Sequence, residues 1–220
     1  MTQTQGDPRH VMFDVETLGL GPSAAILSIG AVRFDPYGLL PDGGPDAHPD
    51  LCFYQNIDPS SCQDAGLTID GATVGWWLRQ DPDAISALAQ NQKSLHETLS
   101  RFQHWLMDLG PAQQDSMPGR FPVNSQHWRD SIYPWSHANF DMPIIQHAAK
   151  LVLGRELFAF RNARDIRTVR ALAQLTGEGP VYEKTRPHNA LWDAWDQAIF
   201  VQECMATIFA PVEVPRHDAD

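Results

Sequence analysis

The sequence predicts an α/β protein, in which a sheet packs against helices that mostly follow its strands along the chain. Two observations carry this prediction. Apolar stretches rich in Val, Ile, Leu and Phe, separated by turn residues, dominate residues 10–57. From about residue 70 onward, apolar residues instead recur at helical spacing. The same order of elements also fits an α+β sheet.

Four stretches are predicted as strands. Residues 10–15 alternate between the two faces of a strand, and residues 25–34 form a second apolar run after a short connection containing Gly and Pro. The two runs therefore predict a hairpin. A third strand is expected over 51–57 and a fourth over 132–136.

Five stretches are predicted as helices. Apolar spacings of three and four indicate helices over 73–80 and 94–109, the second with a clear amphipathic stripe. Further helices are expected over 140–153, 165–175 and 189–209.

The composition is that of a single globular domain. Of the 220 residues, 43% are apolar and 20% are charged, as is ordinary for a folded domain. We expect one domain over residues 1–220, with its core at about 10–209 and a frayed tail at 210–220. Exposed loops are expected at about 39–50 and 110–130, where Pro and Gly are frequent.

Cysteine usage and hydropathy indicate a cytoplasmic protein. The three cysteines are an odd number without a CxxC pair, which argues against a disulfide framework or a zinc ribbon. No stretch approaches the ~18 apolar residues of a membrane helix, so we expect no membrane partner. The formal net charge of −11 argues against a long basic groove that neutralises nucleic-acid phosphates. An enzyme that holds one chain end through metal ions remains compatible with that charge.

The first strand carries the clearest candidate site. Asp14 and Glu16 lie two residues apart, so both project from one face, while Phe13 and Val15 project from the other. Neighbouring carboxylates repel each other and are costly to desolvate, and a divalent cation relieves both problems. Oxygen ligands favour Mg²⁺ or Mn²⁺. Taken alone, the pair also fits two solvated acids at a strand end.

Two later segments carry further candidates. Asp141 follows the fourth strand at the start of a helix, where the helix dipole also favours an acid. His188 precedes the last helix, which Asn189 is placed to cap, and Asp193 lies about one turn inside it. With the first-strand pair, these residues make four carboxylates and one histidine. Two-metal phosphoryl chemistry needs such a set, because acids hold two cations and a base deprotonates the attacking water.

On these residues the sequence resembles the DEDDh 3′–5′ exonuclease superfamily. Three motifs carry the resemblance, namely FDVET at 13–17, FD at 140–141 and HNALWD at 188–193. The segments TVGWWLRQDPDA and SHANFDMPII are similar to the branch of mycobacterial 3′–5′ exoribonucleases and phage DexA-type exonucleases. The resemblance implies a ribonuclease H-like fold, with a mixed sheet of about five strands flanked by helices.

The resemblance also implies a role for each candidate. Asp14 would bridge two Mg²⁺ or Mn²⁺ ions in one active site. Glu16 and Asp193 would complete the site of the metal that carries the attacking water, and Asp141 would hold the second metal. His188 would take the proton from that water.

Further residues are expected near the substrate. The resemblance places the backbone of Thr17 and Leu18 at the terminal 3′ sugar, with Leu18 beside the last base. With Trp77 and its neighbour Leu78 taken for the core face, Trp76 either stacks on a base or covers the sheet.

Phe140 either touches the penultimate nucleotide or packs in the core.

Many proofreading members of the superfamily carry Asn four residues before the acid of the FD motif, where this chain has His137. The spacing of ten between His127, His137 and His147 matches no compact zinc motif, so we interpret them as ordinary surface or core histidines.

The sequence therefore predicts a metal-dependent 3′–5′ exonuclease acting on single-stranded or 3′-overhanging RNA or DNA, with RNA favoured. It would release nucleoside 5′-monophosphates. The alternative is a non-catalytic nucleic-acid-binding or scaffold module on the same fold, whose mark would be a missing carboxylate or histidine. A polymerase-bound proofreading subunit would need an apolar docking segment, which the short polar tail does not offer. The resemblance further implies a bacterial or phage-encoded protein and a homodimer.

Overall fold

The computed structural model describes residues 9–108, 128–176 and 179–210, which contain one five-stranded sheet. Its strands are β1 His10–Thr17, β2 Ile26–Arg33, β3 Cys52–Asn56, β4 Tyr133–Ser136 and β5 Arg164–Asp165. They lie in the order β3-β2-β1-β4-β5. The β1–β2 and β2–β3 pairs are antiparallel, whereas β4 runs parallel to both β1 and β5. The predicted hairpin and the mixed sheet are thus confirmed.

Helices surround this sheet. Six of those in the described residues begin where an Asp, Ser or Asn side chain accepts N–H groups of the first turn, which satisfies donors that a helix start leaves unpaired. The helices are α1 Pro59–Asp64, α2 Gly71–Trp77, α3 Pro82–Leu88, α4 Leu95–Met107, α5 Trp128–Ser131, α6 Asp141–Leu153, α7 Ile166–Gln174 and α8 Ala190–Ile208.

Alternation along β1 divides the interior into two cores. Val11, Phe13 and Val15 pack with the apolar faces of α4 and α6 on one side of the sheet. Met12, on the other face, packs with α7 and α8. Because side chains alternate along a strand, Asp14 continues the face of Met12 and projects toward α8.

The backbone of helix α8 packs directly against the backbone of strand β2. Asp14 pairs with Gly30 in the β1–β2 ladder. A Cβ atom at Gly30 would lie only 2.2 Å from the backbone of Ala190 and of Leu191, at the start of α8. Glycine is therefore required at this position for α8 to lie directly over the strand that carries the acids.

The structure departs from the sequence prediction in a few elements. Helices α1 and α3 and the two-residue strand β5 were not predicted, because each is too short for a periodic pattern to develop. Leu78, expected on a core face, is 75% exposed, since α2 ends one residue before it. The predicted loop at 39–50 contains short 3₁₀ turns at Pro45–Ala47 and Pro49–Leu51.

Some predictions concern residues beyond the described ones. Most of the predicted loop at 110–130 lies outside the described residues, and its last part instead belongs to α5. The predicted tail lies outside them from residue 211. Among the residues described, none of the helices has the length and apolar character needed to cross a bilayer.

Candidate active site

Four carboxylates converge where β1, α6 and α8 meet. Asp14 and Glu16 project from β1, Asp141 is the first residue of α6, and Asp193 lies in the first turn of α8. Oxygen atoms of Asp14, Glu16 and Asp193 lie within 4.8 Å of one another. Asp141 and Asp193 are each only 1% exposed, and Glu16 is 9% exposed. The arrangement concentrates negative charge in a space that water barely reaches.

Hydrogen bonds hold three of these carboxylates in place. Gln197 Nε2 donates to Asp14 Oδ1 at 2.8 Å. The backbone N–H of His137 donates to Asp141 Oδ2 at 2.9 Å, and that of His188 donates to Asp193 Oδ2 at 3.2 Å. Neutral donors of this kind orient the acids without removing their mutual repulsion.

A partly exposed lysine contacts the acidic cluster. Lys184 Nζ is 2.8 Å from Asp193 Oδ1. Burial alone would lower the pKa of Lys184, but the hydrogen bond and charge of Asp193, helped by Asp14 and Glu16, raise it above its ordinary value. Lys184 therefore stays protonated and offsets part of the negative charge.

Burial and the remaining charge imbalance raise the pKa values of two acids. Burial, followed by repulsion from Asp141, Glu16 and Asp193, raises the pKa of Asp14 well above its ordinary value. Burial and the charge of Asp193 raise the pKa of Glu16 to about 8. Acids this reluctant to ionise, packed as an oxygen-rich set, fit divalent cations that prefer oxygen ligands.

His188 stands at the rim of the cluster, in a left-handed backbone conformation with φ of 66°. Its ring lies edge-to-face against Trp76, with centroids 5.0 Å apart, and 5.8 Å from Trp77. Burial and the charge of Lys184 lower the pKa of His188, although Asp193 opposes them. The lowered pKa of His188 favours the neutral imidazole, which is the form that accepts a proton.

The four residues predicted to contact substrate lie in different environments. Trp77 is buried, and its Nε1 donates to the backbone oxygen of Thr17 at 2.9 Å, so the end of β1 is tied to α2. Leu18 packs against the small apolar cluster that contains Trp77. Trp76 is 39% exposed, whereas Phe140, just before α6, is partly buried against the core.

The sequence analysis did not assign to the site three polar residues that the structure brings to the acids. Gln197 had a signal, because it lies four residues after Asp193 on one face of α8. His137 had a weaker signal in the sequence, namely its position beside the FD motif. In the structure, one of its ring nitrogens lies within 4.8 Å of oxygens of Asp14 and Asp141. Lys184 lies in an irregular segment where no periodicity applies.

The five-stranded mixed sheet and the cluster of four carboxylates are the fold and the acidic set that the resemblance to DEDD-type exonucleases implies. Over residues 9–205 the sequence matches the model of the 3′–5′ exoribonuclease Rv2179c-like domain. The chain belongs to this family, which confirms the resemblance and the prediction of a 3′–5′ exonuclease. No curated protein matches the sequence.

Solved nuclease structures share the fold. Cell-death related nuclease 4 (CRN-4) superposes with a TM-score of 0.51 at 13% identity, over 89% of this chain and 63% of that one. The RNase domain of the yeast Pop2 protein superposes with a TM-score of 0.50 at 14% identity, over 92% of this chain and 78% of that one. SSB/Exonuclease I in complex with the inhibitor CFAM superposes with a TM-score of 0.50 at 11% identity, over 90% of this chain and 40% of that one. The chain thus spans less than two thirds of two of these three nucleases.

Proposed function

We propose that the chain hydrolyses the terminal phosphodiester bond at the 3′ end of RNA, with two divalent cations in one active site, and releases nucleoside 5′-monophosphates. The observation that supports this most is the excess of buried carboxylates over cationic side chains. Such a set is costly unless it binds metal ions, and paired metal ions are the common solution for phosphodiester hydrolysis.

Asp14 has the central role in this proposal, because it belongs to both groups of candidate ligands. Glu16 and Asp193 would hold one cation with it, and Asp141 would hold the other. Bound there, the cations would activate water and neutralise charge on the scissile phosphate. Mg²⁺ and Mn²⁺ are the ions that suit such oxygen ligands.

His188 would accept the proton from the attacking water. Its lowered pKa keeps it neutral before reaction, and its position at the rim leaves it open to the substrate side. Trp76 and Trp77 flank its ring and limit its orientation. A general base of this kind contributes typically ~10²–10⁴-fold to the rate.

The substrate end would lie beside α2, between Trp76 and the end of β1. The backbone of Thr17 and Leu18 would contact the terminal sugar, and the exposed part of Trp76 offers a face on which a base can stack. Phe140 would lie at the next nucleotide. We favour RNA because the family is one of exoribonucleases.

Other expectations complete the proposal. The net charge of −11 favours a short footprint on the substrate and distributive cleavage. We expect one domain, a cytoplasmic location and a bacterial or phage origin. The homodimer remains an expectation drawn from the resemblance alone.

The test is a degradation assay on 5′-labelled RNA and DNA oligonucleotides, both single-stranded and 3′-overhanging. It is run with Mg²⁺, with Mn²⁺ and with EDTA. We expect the labelled oligonucleotides to shorten from the 3′ end into a ladder of products, faster for RNA than for DNA. This shortening should stop with EDTA and in the Asp14→Asn variant. Asp64→Asn, an exposed acid in α1, is the matched control and should cut like wild type. Binding without any shortening would instead support a non-catalytic module.

A further inference from the structure

We infer that His137 is a nitrogen ligand of the second cation, so that this site is mixed in nitrogen and oxygen and selects Mn²⁺ over Mg²⁺. The inference rests on the proposed two-metal function and adds to it a ligand and an ion preference. In proofreading members of the superfamily, an amide side chain often stands at this position, whereas this chain has an imidazole.

The His137 ring lies beside two of the acids. His137 directly follows β4, the strand that pairs with β1. One of its ring nitrogens and carboxylate oxygens of Asp14 and Asp141 all lie within 4.8 Å of one another. The cluster is distinct from that of Asp14, Glu16 and Asp193 and shares only Asp14 with it.

The distance between His137 and Asp141 fits two ligands of one ion. His137 Nδ1 is 3.7 Å from Asp141 Oδ2, which is too long for a hydrogen bond. Two donor atoms that each lie about 2.1 Å from a cation are separated by about 3–4.2 Å, depending on the angle at the ion. The observed separation falls within that range.

Backbone contacts fix the ring beside the acids. The N–H of His137 donates to Asp141 Oδ2, and its carbonyl oxygen accepts the N–H groups of Phe140 at 2.8 Å and of Asp141 at 3.1 Å. This closed turn sets the position of the Cα atom and the direction of the side chain. The His137 side chain is 33% exposed, whereas that of Asp141 is 1% exposed.

The identity of the donor atom predicts the preferred ion. Mg²⁺ takes oxygen ligands and retains water, whereas imidazole suits first-row transition ions. Replacing the imidazole by an amide should therefore weaken Mn²⁺ at this site more than Mg²⁺. Loss of one ligand of this kind is expected to lower Mn²⁺ affinity about 10-fold or more.

The experiment is pulsed electron paramagnetic resonance of Mn²⁺ bound to the full chain, together with calorimetric titration of Mn²⁺ and Mg²⁺. Coordinated imidazole nitrogen modulates the Mn²⁺ echo. We expect two Mn²⁺ per chain, with nitrogen modulation that is lost in His137→Asn and His137→Gln. It should persist in His188→Asn and in His96→Asn, an exposed control in α4. Thermal melting in EDTA checks that each variant is folded.

The outcomes separate the two proposals. If the wild type binds two Mn²⁺ and the His137 variants keep both the nitrogen modulation and the affinity, the ligand assignment is overturned while the two-metal function stands. The ligand assignment is also overturned if these variants only raise KM for the oligonucleotide, because the ring then contacts the substrate. Mn²⁺ binding that is absent, or unaffected by Asp14→Asn, would overturn the two-metal function itself.

Discussion

Glu16 is the acid whose ionisation should most clearly control the stability of the metal-free protein. Its pKa is raised from 4.5 to about 8 by burial and by Asp193, with Lys184 opposing. Below about pH 4.5 the folded and unfolded chains both hold the proton. Between pH 4.5 and 8 the unfolded chain ionises, while the folded chain keeps its proton. The free energy of unfolding must therefore fall as pH rises through this window, and the loss is complete above it.

The size of the effect follows from that window. Each pH unit across which only one state holds the proton is worth about 1.4 kcal/mol, so the rise from pH 5 to 8 removes at most about 4 kcal/mol. Asp14 competes for the same proton, since its pKa is also raised in part by Glu16. For Glu16→Gln, which carries no charge at any pH, we expect a stability gain over wild type that grows by about 2–4 kcal/mol over this range.

The assay is urea denaturation in EDTA at pH 5 and pH 8, for wild type, Glu16→Gln and the exposed control Glu156→Gln. The control should follow wild type at both values. Saturating Mn²⁺ at pH 8 should reverse the order, because the cation stabilises ionised Glu16 in the wild type only. The reasoning is wrong if the difference in the free energy of unfolding between wild type and Glu16→Gln changes by less than about 1 kcal/mol from pH 5 to 8. In that case Glu16 is already ionised without metal.

Three further predictions concern single contacts. Gly30→Ala should lower the free energy of unfolding by more than about 4 kcal/mol or prevent folding, because its Cβ would lie 2.2 Å from the α8 backbone. The control Gly21→Ala, whose Cβ would have no atom within 4 Å, should have the melting temperature of wild type. Trp77→Phe removes the hydrogen bond to Thr17 and should lower the free energy of unfolding by about 1–3 kcal/mol in urea titrations. Lys184→Met removes a cation that competes with metal ions, so calorimetry should show Mn²⁺ binding about 2- to 5-fold tighter; unchanged affinity would show that the lysine does not compete.

Periodicity was enough to locate the part of the site carried on regular elements. Alternation along the first strand placed Asp14 and Glu16 on one face, which is the face toward α8 in the structure. The Asn189 cap gave the start of the last helix and placed Asp193 in its first turn. These inferences work because each depends only on residues within one element.

The parts that sequence reasoning missed depend on contacts between distant segments. Lys184 reaches Asp193 from an irregular segment, and no local pattern fixes where that segment lies. His137 was interpreted as an ordinary histidine because its spacing fits no compact zinc motif, whereas its acidic neighbour Asp14 comes from another strand. Strand β5 pairs only at Trp135–Arg164 and Ser136–Asp165, which leaves no periodic signal.

The contact that completes the fold also builds the site. Helix α8 can touch β2 only because Gly30 has no side chain, and this approach brings Asp193 and Gln197 over Asp14, the ladder partner of Gly30. The acids are thus brought together by backbone packing, at a cost in repulsion that the cores on both faces of the sheet offset. Substitutions that loosen α8 should therefore weaken stability and cation affinity together. Substitutions at Trp76, which lies outside the acidic cluster, should leave cation affinity unchanged and act on substrate binding and on the orientation of His188.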